Sequence, residues 1–232
     1  MSFLYEMHAH VKEVSTCSPT SAADFVALYI DTEYSGIVLT DHMNADTFSK
    51  RGLKDAPWDE KIDHFITGYQ AVKDAAGDKL NVIMAMEIHF YDNPNDYLVY
   101  GITEEFLRSH GDLMAMGSEK FSRLAQENNI IFIQAHPFRR DSRVEDWKIL
   151  DGYEIFNGNP RHYSCNPIAE QWASYHNKAI VTSGSDFHQP EDACHGGVYF
   201  EKEIKTTQEL VEELRAGNYT LKKDKFKHTR PE

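Results

Sequence analysis

Phe3-Leu4-Tyr5-Glu6-Met7-His8-Ala9-His10 is an apolar run that ends in two histidines spaced two apart. Side chains on an extended segment alternate between faces, so positions i and i+2 share one face and can grip one ion. The ending recurs along the chain. Val38-Leu39-Thr40-Asp41-His42 closes a second apolar run, and Glu87 and His89 close a third. Ile131-Phe132-Ile133-Gln134-Ala135-His136-Pro137 and Val181-Thr182-Ser183-Gly184-Ser185-Asp186-Phe187-His188 repeat it twice more. In a parallel sheet or barrel all such ends lie on the carboxyl edge, so residues distant in sequence converge there.

Working outward, strands are expected at 3–7, 36–39, 82–86, 98–101, 130–133, 152–156, 179–182 and 197–200. Near-continuous apolar runs of this kind suit strands covered by helices on both faces. Helical patterns lie between them. Ser21 and Asp24 make a capping-box-like opening, and Ile62, Phe65, Ile66, Tyr69, Val72 and Ala76 form a stripe closed by Gly77. Asn166-Pro167 reads as an N-cap with proline at the first helical position, ahead of Ile168, Trp172 and Tyr175. Thr206 and Gly217 bracket a last helix. Residues 50–60 read as a loop on the active-site side. This alternation predicts an α/β domain spanning 1–232, either a closed (β/α) barrel or a doubly wound sheet.

Composition excludes several classes. No apolar run approaches the roughly 20 residues of a membrane span, and residues 1–6 reach an acid with no basic segment, so no secretory signal is expected. The three cysteines, Cys17, Cys165 and Cys194, form no CxxC pair. They point to a reducing cytoplasm, with each thiol a small, partly buried side chain. A net charge of -13 disfavours an extended nucleic-acid surface. The basic stretch from Lys222 to Lys227 is interrupted by Asp224 and reads as a solvated strand or frayed tail. Nitrogen and carboxylate donors without thiolates suit Zn²⁺, Mn²⁺ or Fe²⁺.

The ordered series His8-Ala9-His10, Thr40-Asp41-His42, Glu87, Ala135-His136-Pro137 and Ser185-Asp186-Phe187-His188 resembles the PHP (polymerase and histidinol phosphatase) domain family over nearly the whole chain. The resemblance implies a distorted (β/α)₇ barrel with three divalent metal ions at the carboxyl ends of its strands. It further implies phosphoesterase activity, although some relatives attached to bacterial DNA polymerases are nucleases or inactive. Carried over by position, His8, His10 and Asp186 hold one ion, His42 holds a second, Glu87 bridges two, and His136 and His188 complete the cluster. Asp41 is expected as an outer acceptor that orients a ligand.

Two positions depart from the family pattern. Ser15 and Thr16 stand where many relatives carry Asp or His, and Glu13 is the substitute ligand expected there. The further ligand between the third and fourth motifs has three candidates, Asp96, His89 and His110, with Asp96 favoured and His110 read as polar loop surface.

The chemistry expected is hydrolysis of a small phosphate monoester by a hydroxide shared between metals about 3.5–4 Å apart. Three dications outweigh the carboxylates Glu13, Glu87, Asp96 and Asp186, so the pocket favours an anion in an acidic protein. Asp186 and His188 are expected at the reacting centre. Arg139 and Arg161 are expected to grip phosphate oxygens; otherwise they are exposed arginines paired with Asp141 or Glu145. A metal-bound water, His162 or His195 is left as the acid for the leaving group. A phosphodiesterase or nuclease, and a non-catalytic metal-binding regulatory domain, are the alternatives.

Overall fold

All eight expected strands form. The computed structural model describes residues 2–176 and 179–225, so Phe226 and Lys227 of the basic stretch lie outside the described residues. The strands are β1 (Phe3–Glu6), β2 (Tyr34–Leu39), β3 (His42–Met43), β4 (Asn81–His89), β5 (Asp96–Tyr100), β6 (Ile131–Gln134), β7 (Gly152–Asn157), β8 (Ile180–Gly184), β9 (Gly196–Phe200) and β10 (Tyr219–Lys223). The helices are α1 (Ala22–Ala27), α2 (Ala45–Lys50), α3 (Trp58–Ala76), α4 (Glu104–Ser109), α5 (Ser118–Glu127), α6 (Asn166–Ser174) and α7 (Thr207–Ala216). Lys222 and Lys223 belong to β10, which pairs along β9.

The sheet runs β10-β9-β1-β2-β4-β5-β6-β7-β8, with β3 added beside β4. Pairs β1–β2, β2–β4, β6–β7 and β7–β8 are parallel, whereas β5 is antiparallel to both β4 and β6. The sheet bends into a nearly closed barrel. Its open side is joined at the carboxyl edge, where Ala9 forms a parallel bridge with Phe187 and the His10 amide donates to the Phe187 carbonyl at 3.0 Å. Glycines permit that approach. A side chain on Gly184 would lie 2.4 Å from His8 Cβ, and one on Gly196 would lie 2.4 Å from the Gly184 backbone. The segments that close the barrel are therefore those that carry histidines.

Alternation along β2 divides the core. Val38 joins Tyr5, Ile83, Leu98 and Ile131 in a cluster completed by Leu210 and Leu214 of α7. Its neighbours Ile37 and Leu39 pack outward with Phe25 and Val26 of α1 and Val72 of α3. Both faces are thus apolar, as the unbroken runs required.

Most helix ends fall where expected. Ser21 accepts from the Asp24 amide, Gly77 terminates α3, and Thr206 with Glu209 forms a capping box on α7, which Gly217 ends at φ 74°. Two readings need correction. The cap of α6 is Cys165, because the Asn166 side chain is engaged with both the amide and the carbonyl of Asn157; Ala169 and Ala173 are the buried face, while Ile168 and Tyr175 are exposed. The 50–60 segment is a loop only in part, since α2 runs to Lys50 and α3 begins at Trp58. Among the described residues no helix is long and apolar enough to cross a membrane.

Candidate metal centre

The reversed β5 matters at once: its first residue, Asp96, lies opposite His89 at the end of β4, and the Ala135 amide donates to its carbonyl. Asp96 therefore reaches the same edge as the strand ends. Glu87 stands at the middle of that edge. Its Oε1 is 3.2 Å from His136 Nε2 and 3.3 Å from His8 Nε2, while Oε2 is 2.9 Å from His42 Nδ1 and 3.4 Å from His10 Nε2. Asp186 Oδ1 lies 3.4 Å from His8 Nε2 and 3.6 Å from both His10 Nε2 and His188 Nδ1. Four donor groups overlap here: His10–His42–His188, His8–His10–Glu87, His8–His136–Asp186 and Glu87–Asp96–His136, each with ligand atoms within 4.8 Å of one another.

The donors fit a cation. His8 Nε2, His10 Nε2 and His42 Nδ1 are buried without a hydrogen-bond partner. Each such orphan costs about 1–3 kcal/mol, and three within one cluster of carboxylates describe a place that a cation would satisfy. Without an ion, protons serve instead. Burial disfavours charge on His8, but Glu154, Asp186 and Glu87 overcome it and hold His8 well above the usual imidazole range. His42 is raised in the same way, chiefly by Glu87 against burial. His10 goes well below, lowered by burial and then by His42 and His188. Burial would raise Glu87 and Asp186, yet His8 with His42, and His8 with Arg139, keep each well below the carboxylate range.

Three further carboxylates set the geometry. Glu154 of β7, 1% exposed, places Oε1 2.8 Å from His8 Nδ1, which leaves Nε2 facing inward, and its Oε2 accepts from the His136 amide at 3.0 Å. Glu6 accepts through Oε1 from the amides of Met7, His8 and Ser185, and through Oε2 from the Tyr29 hydroxyl. Asp41 accepts from the Val11 amide and the Ser15 hydroxyl, and Ser15 in turn accepts from the His42 amide and lies 3.5 Å from His10 Nδ1. Carboxylates that orient ligating imidazoles are a recurrent device of metal sites. His136 and Asp186 have positive φ, 26° and 52°. Non-glycine residues held there cost about 1–3 kcal/mol and cluster at functional sites.

Not every expected residue joins the cluster. Glu13 accepts from the Ala22 amide at 3.1 Å with both oxygens, and belongs to none of the donor groups. His89 bonds to Asp96 Oδ1 at 2.8 Å, so Asp96 rather than His89 presents an oxygen to Glu87 and His136. His110 turns to the Phe106 carbonyl. The arginines pair with neither Asp141 nor Glu145. Arg139 Nη2 donates to Asp186 Oδ2 at 2.6 Å, Asn157 Oδ1 at 2.9 Å and Ser164 Oγ at 3.1 Å. Arg161 commits Nε and Nη2 to the fully buried Asp192 at 2.9 and 2.7 Å. Burial and then Arg139 lower His162 to about 4, which leaves it unprotonated at neutral pH and unsuited to donate a proton.

Sequence reading missed Glu6 and Glu154, although a signal was present: each is an acid inside an otherwise apolar strand, where an unpaired charge is too costly to bury. Ser15, read only as a departure from the family's ligand pattern, links Asp41 to His10 and the His42 amide, and Cys17, expected to be partly buried, is exposed.

No family model and no curated protein matches the chain. Solved structures do resemble it. PsfC from Pseudomonas syringae superposes with a TM-score of 0.67 at 14% identity, over 96% of this chain and 92% of that one. A protein described as a metal-dependent phosphoesterase, from Bifidobacterium adolescentis, gives 0.52 at 14% identity, over 90% and 95%. A lesion-specific endonuclease from Pyrococcus furiosus gives 0.61 at 13% identity, over 95% of this chain but 58% of its own. At such identities the likeness concerns the fold: this barrel is one shared by those proteins.

Proposed function

We propose that this chain is a PHP-type metal-dependent phosphoesterase that hydrolyses a small phosphate monoester. One observation carries the reading. Histidines and acids from β3, β4 and β5, and from just beyond β1, β6 and β8, meet in a single largely buried cluster in which His8 Nε2, His10 Nε2 and His42 Nδ1 lack hydrogen-bond partners. The proposed ligands are His8, His10, His42, Glu87, Asp96, His136, Asp186 and His188. When bound, the ions supply Lewis acidity and lower the pKa of coordinated water.

The chain's own residues do the rest. Glu87 presents two oxygens to four imidazoles, which suits a bridging carboxylate. Glu154 fixes the His8 ring so that Nε2 points inward. Arg139 steadies Asp186 through Nη2, while Nη1 makes no hydrogen bond among the described residues and is available to an anionic oxygen at the rim. Arg161, with Nε and Nη2 bound by Asp192, is the weaker anchor.

A nuclease reading has the endonuclease fold likeness in its favour, but the net charge of -13 opposes a long nucleic-acid track. The test is the protein reconstituted with Zn²⁺, Mn²⁺ or Fe²⁺ against a panel of phosphate esters. Phosphate release from a nucleotide 5′-monophosphate or a sugar phosphate, with a dinucleotide left intact, is expected. Cleavage of the dinucleotide alone would favour a phosphodiesterase, and full metal loading without turnover would favour a non-catalytic domain.

A further inference from the structure

The amino ends of β7 and β8, away from the metal edge, border a cavity of about 550 Å³, a size typical of small-molecule sites. Three segments wall it: the 3₁₀ turn Trp147–Ile149, the start of β7 with Tyr153, and Tyr175 and His176 where α6 ends.

Its walls are aromatic and similarly oriented. The Trp147 ring lies 18° from parallel with His176 at 5.0 Å, and the Tyr153 ring lies 34° from His176 at 6.2 Å. Trp147 and Tyr175 are 50% and 71% exposed, so two large rings stay in water in the free chain. A flat apolar molecule seated on them would remove that area from solvent.

An independent observation calls for polar atoms on the same molecule. Tyr153 is 1% exposed, yet its hydroxyl has no hydrogen-bond partner, and His176 Nε2 has none either. Both side chains line the cavity. A buried polar atom left unpaired costs about 1–3 kcal/mol, and two beside one cavity mark an edge that a ligand would complete. A hydroxyl donates and accepts, and a neutral imidazole nitrogen does one or the other, so the matching edge carries donors and acceptors together. A cation is a poorer match. Asp151, the acid of the lining, already accepts from the Phe132 amide and pairs with Arg215.

We propose that this cavity binds a flat heteroaromatic molecule of purine or pteridine size, packed on the aromatic walls and hydrogen-bonded through its edge to Tyr153 Oη and His176 Nε2. Such ring systems place ring nitrogens, carbonyls and amines side by side along one edge, as the two unpaired atoms require. The site is separate from the metal centre and does not depend on the phosphoesterase reading.

Calorimetric titration of the full chain with adenine, hypoxanthine and lumazine tests this. None carries a phosphate, so none is a substrate for the chemistry proposed at the metal edge. At least one should bind, one molecule per chain, with a Kd below about 1 mM. Tyr153→Phe deletes only the hydroxyl and should weaken that binding by about tenfold. It should not lower Tm, because the deleted group has no partner in the free chain. His176→Ala should weaken binding by at least about tenfold through the lost ring face, whereas Asp186→Asn should leave it unchanged. Failure of all three compounds to bind at about 1 mM would overturn the proposal. Binding that survives both Tyr153→Phe and His176→Ala, or that Asp186→Asn abolishes, would place the compounds elsewhere and overturn it too. A lowered Tm in Tyr153→Phe would show the hydroxyl already paired and would count against the site.

Discussion

The two ends of β7 and β8 are built from the same strands and do different work. At their amino ends lies a cavity of about 550 Å³ lined by Trp147, Leu150, Tyr153, Tyr175, His176 and Ala179. Its rings are stacked, with Trp147 parallel to His176 at 5.0 Å, and Tyr153 OH and His176 Nε2 lack partners. Towards their carboxyl ends Glu154 and Asp186 serve the donor cluster. The residues that line the cavity belong to none of the donor groups found among the described residues, whereas the other end carries four that overlap. Volume finds a place for a ligand, whereas convergence of donors of opposite charge finds chemistry.

Substitutions should separate the two ends. Asp186→Asn should remove bound metal and lower kcat by about 10³-fold, since the several kcal/mol that an ion contributes depend on it; metal content and rate measured on one preparation check this. Arg161→Ala should act on stability instead. It leaves the buried Asp192 with no cation and only the His188 and Gln189 amides as donors, at a cost of about 3 kcal/mol, read as a lowered Tm with metal content unchanged. Glu154→Gln should cost about 10–100-fold in metal affinity or rate, because the His8 ring loses its acceptor while the ligand remains. Metal affinity should also rise with pH. His8 and His42 lie above the ordinary imidazole value, held there by the carboxylates beside them, so binding displaces protons they hold more tightly than a free imidazole does; each displaced proton strengthens binding by about tenfold per pH unit until pH passes those raised values. Calorimetry in buffers of different ionisation enthalpy checks the proton release. Trp147→Ala at the amino end should change stability by less than about 1 kcal/mol and leave metal content and rate untouched.

Eight apolar runs revealed an α/β sheet, the family resemblance carried by the ordered motifs pointed to a barrel, and five polar endings revealed the cluster, because strand composition and strand-end chemistry are local. The direction of β5 was not local. Only six residues separate His89 from Asp96, too few for the crossover that a parallel neighbour needs, but the expected strands stopped short of both and hid that clue. Asn166 looked like a cap and was drawn to the Asn157 backbone instead. Glu13 looked like a ligand and capped the Ala22 amide. Arg139 and Arg161 looked alike, yet one meets Asp186 of the cluster and the other meets Asp192. Partner choice among exposed-looking polar residues is decided by tertiary placement, which no short stretch encodes.

A crystal structure grown with zinc or manganese, with anomalous data at the metal edge, tests the central claim most directly. Peaks bounded by His8, His10, His42, Glu87, Asp96, His136, Asp186 and His188 are predicted, with Glu87 between two of them. A saturating metal soak that leaves this cluster without a peak, or places the ions elsewhere on the chain, would contradict it.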